Sequence, residues 1–215
     1  MRPLRPGLPE ERRREEGGIL MNTKTTNVLL VGVGGQGTIL ASKVLTEGLL
    51  SFGYDVKMSE IHGMAQRGGS VSTHVRYGEK VYSPVICRGE ADVVVAFEKM
   101  EALRWLPYLS SGGRLIVNNH EIFPMPVILG QAEYPREIEK YLSASAPGTL
   151  VVEAAKTADE LGNPRVMNMV LLGAVVKTLG LDGRDWGGTL RSCVPPGAVE
   201  INERAFAAGK TLLPG

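Results

Sequence analysis

Apolar residues run along this chain in two rhythms. Residues 27–32 (NVLLVG) and 91–97 (ADVVVAF) are short continuous apolar runs, the pattern of strands buried on both faces. Residues 35–52 instead bring Ile39, Leu40, Val44, Leu45 and Leu49 to one side of a helix, which Gly53 ends. The same reading makes residues 54–60, 113–118 and 149–152 strands and residues 98–109 a helix. Residues 70–76 and 80–83 flank Tyr77-Gly78-Glu79 and read as a β-hairpin. Residues 166–179 are apolar nearly all round, which places that helix in the core or under a partner. A last helix spans residues 195–209, opened by Pro195-Pro196 and closed by Gly209. Residues 119–134 are broken by Pro124 and Pro126 and have no period, as in a long functional or interface loop. Strands alternating with helices predict an α/β fold: a Rossmann-like three-layer sandwich whose mainly parallel sheet carries an inserted antiparallel hairpin.

Composition narrows the class. The chain has 215 residues, 43% of them hydrophobic, enough for one sizeable core. Lys+Arg number 24 against Asp+Glu 23, so there is no basic field for nucleic acid. No apolar run reaches the roughly 20 residues of a membrane span. Residues 1–20 are rich in Pro, Arg, Glu and Gly and lack both apolar period and signal-peptide core. They are expected to be disordered or a translated leader, with residues 21–215 as the single domain. Cytoplasm is the expected location, and two isolated cysteines, Cys87 and Cys193, fit a reducing compartment.

Candidate chemistry begins at Gly32-Val33-Gly34-Gly35-Gln36-Gly37, which follows a strand and opens a helix. That context suits a dinucleotide or other anion, because the helix N-terminus offers free N–H groups and glycine lets the backbone approach. Glu60, ending the second strand, could supply the acidic partner of a ribose. The alternative is a tight strand-to-helix turn that binds no nucleotide. The segment after Glu60 favours it, because a glycine-rich loop and a hairpin stand where a dinucleotide fold has a helix and its third parallel strand. That loop, His62-Gly63-Met64-Ala65-Gln66-Arg67-Gly68-Gly69-Ser70, leaves the C-terminal end of the second strand. Arg67 there is a cation on a closely approachable backbone, either a contact to a carboxylate or phosphate, a contact to a partner, or a solvated residue at a turn.

These two strings, with Tyr82-Ser83-Pro84, Gly89-Glu90-Ala91-Asp92, residues 117–119, residues 124–126 and Asn168-Met169-Val170-Leu171-Leu172-Gly173-Ala174, resemble the gamma-type domain of the 2-oxoacid:ferredoxin oxidoreductases. Within that family the likeness is strongest to the branch acting on aryl pyruvates such as indolepyruvate, and it runs from about residue 27 to residue 209. The resemblance implies a heteromeric enzyme that oxidatively decarboxylates the oxo acid to an acyl-coenzyme A and passes two electrons to ferredoxin. It also implies a large alpha subunit carrying thiamine diphosphate, its Mg ion and 4Fe–4S clusters. The present chain would hold no cofactor of its own, be inactive alone, and contribute no catalytic or metal-ligating residue.

The residues agree with that division. A cubane cluster needs four thiolates, and His62, His74 and His120 have no metal-ligand spacing. Gly34, Gly35, Gln36, Gly37, His62, Gln66, Arg67, Gly68 and Gly69 are the candidate residues at the edge of an assembled active site or coenzyme A site. Two other readings stay open on the residues alone: a free-standing nucleotide or coenzyme A binder, and a scaffold subunit that never meets substrate.

Overall fold

The structure, a computed structural model, describes residues 24–63 and 68–213. The possible leader at 1–20 lies outside them. Six strands form one sheet: β1 (Thr26–Val33), β2 (Asp55–His62), β3 (Ser70–Gly78), β4 (Ala91–Ala96), β5 (Leu109–Asn118) and β6 (Thr149–Val152), in the order β2-β3-β1-β4-β5-β6. The helices are α1 (Thr38–Ser51), α2 (Lys99–Trp105), α3 (Met125–Ile128), α4 (Ile138–Ser145), α5 (Ala154–Glu160), α6 (Met167–Thr178), α7 (Gly187–Cys193) and α8 (Val199–Thr211), with short 3₁₀ turns before α6 and α8 and after α2. The expected α/β sandwich is what forms. β1 pairs parallel with β4, β4 with β5 and β5 with β6, and β3 alone runs antiparallel, to β1 on one side and β2 on the other.

The hairpin is not where the periodicity predicts it. β3 turns back on β2, through the 63–69 connection, and residues 80–83 form no strand. Side chains take their backbone groups instead. Asp55 Oδ2 accepts the Val81 N–H at 2.9 Å, and Arg76 donates to the carbonyls of Ser83 (3.1 Å) and Val85 (3.0 Å). A strand ladder cannot use groups already bonded in this way.

Each face of the sheet has its own core. On one, α1, α5, α6, α7 and α8 cover Val28, Leu30, Val75, Val93 and Val95. On the other, α2 and α4 cover Leu29, Val31, Val94, Leu115 and Val117. Residues 167–176 of α6 are all buried, so the helix that is apolar all round lies in the chain's own core. It packs on α8 through facing glycines: a methyl group at Gly209 would run into the Val170 carbonyl, and one at Gly173 into the Phe206 carbonyl. Residues 119–134 stay mostly irregular, with α3 a single turn opened at Pro124. Phe123, Met125, Ile128 and Leu129 there are all more than half exposed.

Candidate functional site at the carboxyl edge of the sheet

In open α/β sheets ligands meet the carboxyl ends of the parallel strands. Here that edge gathers the Gly34 turn after β1, residues 62–63 and 68–69 between β2 and β3, and residues 97–101 and 118–120 after β4 and β5. The two glycine-rich strings are joined directly. Gly34 N–H donates to the Gly69 carbonyl at 2.8 Å, and Gly68 N–H donates to the Gly34 carbonyl at 3.2 Å. They meet for a different reason than strand adjacency. β3 stands between β1 and β2, and its first residue, Ser70, pairs with Val33 at the end of β1.

The candidate residues divide. Gln36 folds back onto the protein: its Oε1 accepts the Val33 N–H at 2.8 Å and its Nε2 donates to the Phe97 carbonyl at 3.0 Å, locking the ends of β1 and β4 together. It is a brace, not a free ligand group. Gly35 is exposed. Gly37 is the N-cap of α1 in a left-handed conformation (φ 80°), and Asn168 Nδ2 donates to its carbonyl at 3.1 Å, so α6 holds the turn from behind. No side chain caps the α1 N-terminus and its first turn carries no acid. His62 is exposed, with Nδ1 3.3 Å from the Gly63 carbonyl. Gln66 and Arg67 lie outside the described residues.

Two buried glutamates at the start of α2 organise this edge, and they were not singled out from the sequence. Glu98 is fully buried and caps α2, with one carboxylate oxygen accepting the Glu101 N–H at 2.9 Å. Its other oxygen accepts the Ile122 N–H at 3.2 Å and the Tyr134 hydroxyl. Burial first, and then the Glu98 carboxylate, push the Tyr134 hydroxyl far above its ordinary range. Glu101 binds Ser70, Trp105 and Arg104. The signal available in the sequence was Glu98-Lys99-Met100-Glu101 directly after an apolar strand, an acid at the cap with glutamate three residues on. Asn118, also buried, donates to the Phe97 carbonyl and accepts the Ala155 N–H. Just outside, Lys99 contacts Glu139 at 2.7 Å and Glu121 at 3.0 Å. Burial lowers its pKa, and the two carboxylates more than offset that, so the ammonium is held above its usual value.

Glu60 does not sit as a ribose acid sits. Through Thr73 it aligns with Leu30, two residues short of the row Gly32–Val71–His62, and β3 separates it from β1. Two strand spacings, about 10 Å, intervene. A hollow of about 450 Å³ opens at this carboxyl edge between Lys99, Phe123, Tyr134 and Arg136. A larger one, about 890 Å³, lies at the opposite edge, where Asn27, Arg76 and Asp92 are already bonded to one another and to the backbone. Among the described residues no three His, Cys, Asp or Glu side chains come together to hold a metal, and neither Cys87 nor Cys193 is in a disulfide. These residues do not fit a cluster or the metal of thiamine diphosphate.

Residues 27–212 match the pyruvate ferredoxin/flavodoxin oxidoreductase family, and the chain belongs to it. It is 41% identical over 191 residues to indolepyruvate oxidoreductase subunit IorB of Pyrococcus horikoshii, covering 86% of this chain and 95% of that one. It is 40% identical over 187 residues to the subunit of the same name from Methanothermobacter thermautotrophicus, covering 85% and 95%. The pyruvate oxidoreductase subunit PORC of Thermotoga maritima superposes with a TM-score of 0.65 at 23% identity, over 86% of this chain and 95% of that one, a likeness of fold. No helix among the described residues is long and apolar enough to cross a membrane.

Proposed function

We propose that this chain is the small subunit of an aryl-pyruvate:ferredoxin oxidoreductase of the indolepyruvate type. In the assembled enzyme the oxo acid loses CO₂, its acyl carbon passes to the thiol of coenzyme A, and two electrons go to ferredoxin. Thiamine diphosphate, Mg and the 4Fe–4S clusters belong to the large alpha subunit, which supplies carbanion stabilisation and electron transfer. The domain is residues 21–215, and the complex works in the cytoplasm. The observation that carries this reading is the 41% identity, over 86% of the chain, to a subunit named for that activity.

What this chain's own residues do follows from the carboxyl edge. The uncapped N-terminus of α1 behind Gly35–Gly37, with the Gly68-Gly69 backbone bonded beside it, forms one wall of the assembled active site, suited to a carboxylate or phosphate of substrate or coenzyme A, and Arg67, next in sequence to Gly68, is the cation that would serve it. Phe123, Met125, Ile128 and Leu129 offer an apolar surface of the kind that subunits bury against each other. Against NAD as the ligand speaks that β3 takes the position beside β1 that a dinucleotide fold gives to its second parallel strand.

The test is co-expression with the large subunit, followed by an assay of coenzyme A- and ferredoxin-dependent oxidation of indolepyruvate. The complex turns over and this chain alone does not. Arg67→Ala in that complex raises the Michaelis constant for coenzyme A or the oxo acid about tenfold to a hundredfold with assembly intact. Unchanged kinetics and assembly would favour the scaffold reading. Low-micromolar binding of NAD, lost in Glu60→Ala, would favour a free-standing nucleotide binder.

A further inference from the structure

Glu101 is the third helical residue of α2, behind the cap Glu98. A glutamate there commonly reaches back to the N–H of the capping residue. This one turns away from the helix end. Its Oε2 accepts the Ser70 hydroxyl at 2.5 Å and the Trp105 indole N–H at 3.2 Å, while Oε1 accepts Arg104 Nε at 3.0 Å. The side chain is 3% exposed, against 54% for Arg104. A carboxylate so far from water is stable only while its oxygens are bonded, so the contacts to Ser70 and Trp105 are held firmly.

Ser70 is the first residue of β3 and follows Gly69, whose carbonyl accepts the Gly34 N–H. The chain immediately before it is glycine, which loses more conformational freedom on ordering than any other residue. A glycine-rich loop therefore needs an anchor at its base to keep one conformation, and the Glu101–Ser70 bond is placed there. We propose that Glu101 is a positioning residue of the candidate site: through Ser70 it holds Gly68-Gly69 against the Gly34 turn, so that the two glycine backbones together face substrate or coenzyme A. This rests on the proposed subunit function.

Three variants of the full chain test it, each read by amide exchange on the subunit and by kinetics on the complex. Ser70→Ala removes only the hydroxyl, and the β1–β3 ladder still holds the strand. Glu101→Ala removes the acceptor as well. Glu101→Gln can keep its oxygen toward Ser70 and Trp105, with the amide turned toward Arg104, which is free to swing out. Ser70→Ala and Glu101→Ala speed exchange at the Gly34 and Gly68 amides about tenfold, leave Leu29 unchanged, and raise the Michaelis constant about tenfold with kcat within about twofold. Glu101→Gln restores both readouts to within about twofold of the unmodified protein. Unchanged Gly34 exchange in Ser70→Ala overturns the proposal. So does a Glu101→Gln variant as impaired as Glu101→Ala, or exchange that rises across the whole sheet. An unmodified complex without oxo acid turnover overturns the subunit function instead, and the Gly34 exchange then decides the anchoring role by itself.

Discussion

Residues 167–176 and residues 123–129 are both dense in apolar side chains and end in opposite situations. The first form α6 and are buried all along, under α8, α5 and α1. The second leave Phe123, Met125, Ile128 and Leu129 between 51% and 64% exposed. The difference is in the backbone. α6 runs twelve residues without proline and carries Gly173, which lets α8 come close enough to seal it. Pro124 and Pro126 bar an earlier start to α3, and Gly130 in the left-handed region (φ 69°) ends it, so its four residues are too few to bring their apolar side chains onto a core. Apolar content thus speaks of a partner only where the backbone prevents the chain from burying it. On composition residues 166–174 and the proline loop were both candidates for a subunit contact, and the fold buries the first in the chain's own core.

The largest effect that separates the two regions is a cavity in α6. Leu171 is fully buried, and Leu171→Ala costs about 2–5 kcal/mol of folding free energy, read by denaturant unfolding of the isolated subunit. Survival of the full stability would break the comparison at its first term. In the second region Met125→Asp together with Ile128→Asp leaves the isolated subunit within about 0.5 kcal/mol of its starting stability. The same pair weakens assembly with the large subunit by 2 kcal/mol or more, approximately thirtyfold in dissociation constant. Normal assembly in that double variant moves the interface elsewhere.

Smaller effects sharpen how the exposed loop is held. Tyr134→Phe removes the hydroxyl bonded to Glu98 and costs about 1–2 kcal/mol. The raised pKa of Tyr134 gives this bond a pH sign. Its stabilisation is complete below the ordinary tyrosine value of about 10 and is lost as pH rises beyond it, so Tyr134→Phe flattens the alkaline fall in melting temperature. The smallest expected effect is at His74 on β3. Its Nδ1 accepts the Ile86 N–H at 3.1 Å, and burial lowers its pKa. The rings of Trp105 and Tyr108 meet it edge-on and add no charge to offset that burial. The folded protein therefore binds this proton less readily than the unfolded chain. The contribution is present above the ordinary histidine value of about 6.5 and is lost as pH falls through it toward the lowered value. Melting at pH 5.5 and 7.5 should differ less in His74→Gln than in the unmodified subunit.

Much of the carboxyl edge was legible in the residues. GVGGQG after an apolar run predicts the strand, the turn and the helix that follow, because strand burial and glycine's positive φ are local properties. The meeting of the Gly34 turn with the Gly69 loop was also expected, but for the wrong geometric reason, since β1 and β2 are not neighbours. Gln36 read as a possible ligand group because nothing in its neighbourhood along the chain reveals the Phe97 carbonyl 61 positions away.

The sequence by itself determined the elements whose causes lie within one turn or one strand: the apolar strands β1 and β4, the helix that follows the glycine turn, and an α6 that is apolar on every side; it put the start of α1 at residue 35, two residues before its cap Gly37. Tertiary structure decided what depends on partners distant along the chain. It set β3 between β1 and β2 and kept residues 80–83 out of the sheet, where Asp55 takes the Val81 N–H and Arg76 the Ser83 carbonyl. It buried Glu98 and Glu101, because Tyr134, Ile122, Ser70 and Trp105 arrive there with the hydrogen bonds that make a buried carboxylate tolerable. And it left Phe123, Met125, Ile128 and Leu129 uncovered, because a four-residue α3 is too short to lay them on either core.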